Sequence, residues 1–103
     1  MAGRGSSDDG RARPTRKCAD LTFDAQLQSI QPKAASSIKI NDELAVVADA
    51  DKRIVARHQR HGIVGSFIDH VPEMLSCMDQ GHGYSATVTA IDIPVVRVRV
   101  HAR

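Results

Sequence analysis

The chain has 103 residues, 42% of them hydrophobic and only 3% aromatic, with a formal net charge of +2. That length allows one domain at most, and its core has to rest on Val, Ile, Leu, Ala and Met, because Phe23, Phe67 and Tyr84 are the only Phe, Trp or Tyr residues. The same scarcity excludes a row of aromatic side chains on which single-stranded bases could stack. No run approaches the roughly 20 apolar residues of a membrane span. The N-terminus has no apolar signal core, so a soluble, cytoplasmic protein with no membrane partner is expected.

Charge is unevenly placed. Residues 1–17 carry Arg4, Arg11, Arg13, Arg16 and Lys17 against Asp8 and Asp9, whereas the remainder is slightly acidic. Residues 1–19 contain almost no large apolar side chain. Ordering them would cost backbone entropy with no burial to offset it, and they read as a disordered basic tail ahead of a single domain over 20–103. The two cysteines, Cys18 at the edge of this tail and Cys77 far downstream, are expected to be reduced thiols.

Order is expected from Leu21. Apolar Leu21, Phe23, Ala25 and Leu27 alternate with polar neighbours, the pattern of a strand with one buried face. Pro32 ends it, and 33–37 read as a polar connection. Ile38 and Ile40 resume the alternation before a turn at Asn41 and Asp42. Residues 43–48 (ELAVVA), 53–58 (RIVARH) and 63–68 then form a meander of three short strands. A helix follows near 71–80. Asp69 or His70 is placed to cap it, Pro72 fits its first turn, and Val71, Met74, Leu75 and Met78 form one apolar stripe. Gly81 is placed to end it in the left-handed conformation. Two more strands, 84–91 and 95–103, complete the order β-β-β-β-α-β-β. The fold class is α+β: a small, mostly antiparallel sheet or barrel of about six strands, with one helix closing an end.

The last strand carries the main surface signal. Val96, Val98 and Val100 face one way, and Arg97, Arg99, His101 and Arg103 the other. Alternate side chains on a strand stand about 6.5–7 Å apart, a spacing compatible with a phosphate backbone. Together with Arg11, Arg13, Arg16 and Lys17 of the tail, this basic row is the candidate nucleic-acid contact. The competing reading is a solvated face whose charges discourage edge-to-edge aggregation.

Other features point away from chemistry. His58 and His61 lie at a strand end and in a turn, with no third ligand near in sequence, so no metal site is expected. Gly62 and Gly65 have the spacing of a nucleic-acid-clamping GxxG loop, but Ile63 and Val64 between them should be buried on a strand. A turn at Gly62 and close packing at Gly65 explain the pair better. Cys77 falls late in the helix, where the dipole does not activate a thiol. Asp49 and Asp51 read as turn formers. No acid, base and nucleophile arrangement is apparent, so neither catalytic residues nor a cofactor is expected.

The run Gly62-Ile63-Val64-Gly65-Ser66-Phe67, a helix with paired apolar positions, Gly81, Tyr84-x-Ala86-x-Val88 and a valine-rich last strand resembles the HIRAN domain, a small β-barrel-like module, over residues 62–100. The resemblance implies a non-enzymatic domain associated with DNA processing that binds DNA, notably single strands. The family's polar, aspartate-containing turn is matched poorly by Ala48-Asp49-Ala50-Asp51. Two functions are therefore expected: a single-stranded nucleic-acid-binding module, or a protein-interaction or scaffold domain that dimerises through an edge strand or the Met-bearing helix.

Overall fold

The structure, a computed structural model, describes residues 18–103. The tail candidates Arg11, Arg13, Arg16 and Lys17 lie outside the described residues, as does the expected disorder over 1–19 except at Cys18 and Ala19, which belong to a helical turn. The elements in chain order are β1 (Thr22–Gln26), α1 (Pro32–Ala35), β2 (Glu43–Ala48), β3 (Ile54–His58), β4 (Gly62–Ser66), α2 (Val71–Asp79), β5 (Tyr84–Asp92) and β6 (Val95–Ala102). All six strands join one antiparallel sheet in the order β1-β6-β5-β2-β3-β4. The expected strands, meander and helix are all present.

Alternation decides which side of each strand is buried. Leu44 and Val46 on β2, Ile54 and Ala56 on β3, Val64 on β4, Tyr84, Ala86 and Val88 on β5, and Val96, Val98 and Val100 on β6 are all buried. At about 25 cal/mol per Å² of apolar surface removed from water, this concave face is the main source of stability. The opposite face is polar over β1, β6 and β5, and carries Ala45, Val47, buried Val55 and exposed Ile63 over β2, β3 and β4.

The two edge strands approach each other, but the sheet does not close into a barrel. The Leu27 N–H still donates to Val96 O of β6 (2.9 Å), and the next residue switches partner. The Gln28 N–H donates to Ser66 O, and the Ser66 N–H to Gln28 O, both at 2.8 Å. The seam leaves no room for a side chain at Gly65, where a Cβ would lie 2.9 Å from the Gln28 carbonyl and 3.0 Å from Leu27 Cβ. The Gln31 N–H donates to Val64 O, so residues 28–31 cover the outer edge of β4.

Residues 32–35 are a helical turn where a polar connection was expected. Pro32 occupies the first turn, where its missing N–H leaves no donor unpaired, and Ala34 and Ala35 are buried beneath the turn. Ile38 is buried and Ile40 exposed, but neither belongs to a strand.

Helix α2 has His70 at its N-cap, in the left-handed region (φ 61°). The His70 ring makes no cap bond to the backbone; its Nδ1 lies 2.6 Å from Glu73 Oε1. At the other end Gly81 (φ +95°) closes the helix. The Gly81 N–H donates to Met78 O and the His82 N–H to Cys77 O, the paired bonds of a Schellman cap. Met74 and Cys77 are buried, whereas Val71, Leu75 and Met78 are half-buried.

The expectation of free thiols is overturned. Cys18 and Cys77 form a disulfide, with Cα atoms 5.5 Å apart across 59 residues of sequence. Residues 18–20 form a helical turn, and both cysteines are buried. The Tyr84 hydroxyl donates to Cys18 O at 2.7 Å and holds this segment against the core. That tertiary bond, 66 residues apart in sequence, helps bring the two sulfurs together and is not visible in the local sequence. Burial pushes the Tyr84 phenol above its ordinary pKa, and the nearby Glu73 charge adds to this. Among the described residues, no helix is long and apolar enough to cross a membrane.

Candidate functional site

The polar face of the sheet is built from two neighbouring cross-strand rows. The first runs Asp24–Arg99–Thr87–Glu43 over β1, β6, β5 and β2. The second crosses all six strands as Thr22–His101–Ser85–Ala45–Arg57–Ile63. Adjacent strands lie about 4.8 Å apart, so this second row is about 24 Å long.

The first row is internally neutralised. The Arg99 Nε donates to Asp24 Oδ1 (2.8 Å) and an Arg99 terminal nitrogen to Asp24 Oδ2 (3.3 Å). This fork holds the Asp24 carboxyl below its ordinary pKa, reinforced by the charges of Arg99 and Arg97, and raises that of Arg99. The Thr87 hydroxyl donates to Glu43 Oε2 (2.5 Å) and lies 3.3 Å from His101 Nε2. His101 Nε2 is in turn 3.6 Å from Glu43 Oε1, with the two side chains 39% and 57% exposed. A hydroxyl held between an imidazole and a carboxylate on an open, wet face orders three adjacent strands.

The basic row of β6 therefore has the alternation expected, with Arg97, Arg99 and Arg103 exposed and His101 half-buried, but its charge is only partly available. Arg99 is engaged by Asp24 and His101 faces Glu43. Arg97 and Arg103 have no acidic partner among the described residues.

Further cations without an acidic partner among the described residues continue from Arg103 along the second row. A shallow recess of about 200 Å³ has Ala45 and Ser85 among its lining, with Arg103, Arg57, Gln59 and Glu43 around them. Gln59 also lines a second recess, of about 450 Å³, with Lys39, Arg60, His58, His61 and the acid Asp42. Arg60, His61 and Ser37 in turn line a third, of about 730 Å³, with Lys33, Ala34 and Ile63. Through these shared residues Arg103, Arg57, Arg60, Lys39 and Lys33 form a basic tract along adjoining recesses, whose lining also includes Glu43 and Asp42, engaged by Thr87 and His58. Sequence reasoning missed it because its members come from β6, β3, the β3–β4 turn and the α1 region. Strand pairing and the docking of α1 against β4 bring them together.

His58 shapes the turn that presents Arg60. Its Nδ1 accepts the backbone N–H of Arg60 (3.0 Å) and of His61 (3.3 Å), so its proton resides on Nε2, which faces Asp42 Oδ2 at 3.3 Å. The His61 ring packs against the His58 ring with centroids 4.6 Å apart. Both histidines thus serve the turn. Asp49 likewise accepts the N–H groups of Asp51 and Arg53 at 2.9 Å, bonds that hold its carboxyl below the usual value. Among the described residues, no three His, Cys, Asp or Glu side chains converge as metal ligands.

No family model and no curated protein matches this chain. A crystal structure of a protein from Lactobacillus plantarum, determined by a structural genomics consortium, is similar to it with a TM-score of 0.62 and 12% sequence identity, over 79% of this chain and 94% of that one. At that identity the likeness shows a shared fold and nothing about a ligand.

Proposed function

We propose that this chain is a non-enzymatic binding module that holds single-stranded nucleic acid through its phosphates. The observation that carries the reading is the tract Arg103–Arg57–Arg60–Lys39–Lys33, whose side chains have no acidic partner among the described residues and border adjoining recesses. Arg97 extends the positive surface along β6, and the basic residues Arg11, Arg13, Arg16 and Lys17 add to it electrostatically. Each phosphate neutralised releases counterions, so binding weakens steeply with salt. The resemblance to HIRAN domains favours the same class of ligand.

The protein-interaction alternative is left with the β1 edge, half-buried Met78 and the exposed Ile40, Ile68 and Ile93. The β4 edge is covered by residues 28–31, and Met74 of α2 is buried. The disulfide fits an oxidising setting better than the cytoplasmic location expected from the sequence. Neither cysteine lines the tract, so binding is expected in either redox state.

A labelled 12-nucleotide single strand, titrated with the chain at low ionic strength and followed by fluorescence anisotropy, tests the proposal. Saturable binding that weakens with added salt is expected. An unchanged signal, or binding whose affinity does not change with salt, would sink it.

A further inference from the structure

The recess between α1 and the β3–β4 turn differs from the rest of the tract because its lining is amphiphilic. Lys33 and Arg60 supply positive charge, and Gln31 and Ser37 are exposed polar groups. Ala34 and Ile63 supply an apolar surface beside the His61 ring. Ile63, expected to be buried, lies on the outer side of β4 beside Arg57 and is 46% exposed, while Val64 on the opposite side is fully buried. Ile40, Ile68 and Ile93 are also exposed, but Ile63 is set in a recess whose lining includes the two exposed cations Lys33 and Arg60. At about 730 Å³ the recess is within the usual size range of small-ligand sites.

From this pairing of apolar lining and cationic rim, we infer that the recess seats one nucleotide of the bound strand. The base lies over Ile63 and Ala34 against the edge of the His61 ring, and the adjoining phosphate meets Arg60 and Lys33. The Gln31 amide and the Ser37 hydroxyl already donate to Ser29 O and Lys33 O, so their oxygens are offered as acceptors to the base or sugar edge. The site rests on the nucleic-acid reading and adds a position to it: the strand runs from Arg103 past Arg57 and ends its path here. A pure phosphate site would have no use for Ile63, and an apolar protein partner would have no use for Arg60 and Lys33.

The test is an amide and methyl NMR titration of the full chain with a 12-nucleotide single strand, with thymidine monophosphate and with inorganic phosphate, alongside the variant Ile63→Ser. The Ile63 methyl and the amides of Ala34 and Ser37 should shift with the oligonucleotide and with the mononucleotide, and far less with phosphate. Losing the burial of about half an isoleucine side chain weakens binding by about five-fold, so Ile63→Ser should bind the oligonucleotide roughly that much less tightly while keeping its dispersed spectrum. Oligonucleotide binding that leaves Ile63, Ala34 and Ser37 unmoved, or an undiminished affinity of Ile63→Ser, overturns the nucleotide site and leaves the tract intact. Equal shifts with inorganic phosphate also overturn it, since they reduce the recess to an anion site. Absence of any oligonucleotide binding overturns the functional reading itself.

Discussion

Single residues make this sheet specific. Gly65 lies where the end of β1 crosses onto β4, and a methyl group there would meet the Gln28 carbonyl and Leu27 Cβ at 3.0 Å or less. Both neighbours are fixed, one by a backbone hydrogen bond and one by burial. Gly65→Ala should therefore cost about 1–3 kcal/mol of stability, measured by urea unfolding. Asp24 gives a pH-dependent counterpart. Its folded pKa lies below its unfolded value of 3.8, chiefly because Arg99 hydrogen-bonds the ionised form. Its contribution is fully present above the unfolded pKa and is lost as pH falls through the folded one. The stability gap between the native chain and Asp24→Asn should be open at pH 6 and should close as the pH is taken below the pKa of the folded group. A gap that does not narrow as the solution is acidified would show that the Arg99 fork contributes nothing.

At the scale of elements, the strands and α2 were legible because alternation and a helical stripe are local signals. Val96, Val98 and Val100 against Arg97 and Arg99 fix the faces of β6 from sequence alone, and Gly81 marks the end of α2. The α1 turn was hidden because Pro32 serves equally as a strand breaker and as a first helical residue. The covalent link between α2 and the root of the tail was hidden for a different reason. It comes from packing of residues 18–20 against the core, where the Tyr84 hydroxyl bonds the Cys18 carbonyl across 66 residues of sequence. The disulfide restrains a loop of about 59 residues in the unfolded chain, worth about 4 kcal/mol by chain entropy. Replacing both cysteines by serine should lower the melting temperature markedly, and the native chain should match the variant after reduction under denaturing conditions. Tyr84→Phe, which keeps the ring and removes one buried hydrogen bond, should cost about 1 kcal/mol.

The whole molecule brings together what no segment shows. The basic row on β6 was readable from sequence, but its partial neutralisation by Asp24 and Glu43 required the strand order β1-β6-β5-β2, which alternation does not encode. The same order carries a row from Thr22 to Ile63 across six strands and sets Arg57 beside the recesses that Arg103 and Arg60 line. Positive charge thus accumulates at the β3–β4 turn, while the acids Asp24, Asp42, Asp49 and Glu43 are engaged within the fold. A slightly acidic domain can in this way present a basic surface to a polyanion.

The most direct measurement is the salt dependence of oligonucleotide affinity for the native chain and for the double variant Arg57→Glu, Arg60→Glu. For single strands, the slope of log K against log salt becomes shallower by about 0.7 for each phosphate that is no longer neutralised. The double variant should bind more weakly at every salt concentration, with a slope shallower by about 1.4 if each arginine meets one phosphate. Parallel lines of equal affinity would contradict the account, because the tract through Arg57 and Arg60 would then play no part in binding.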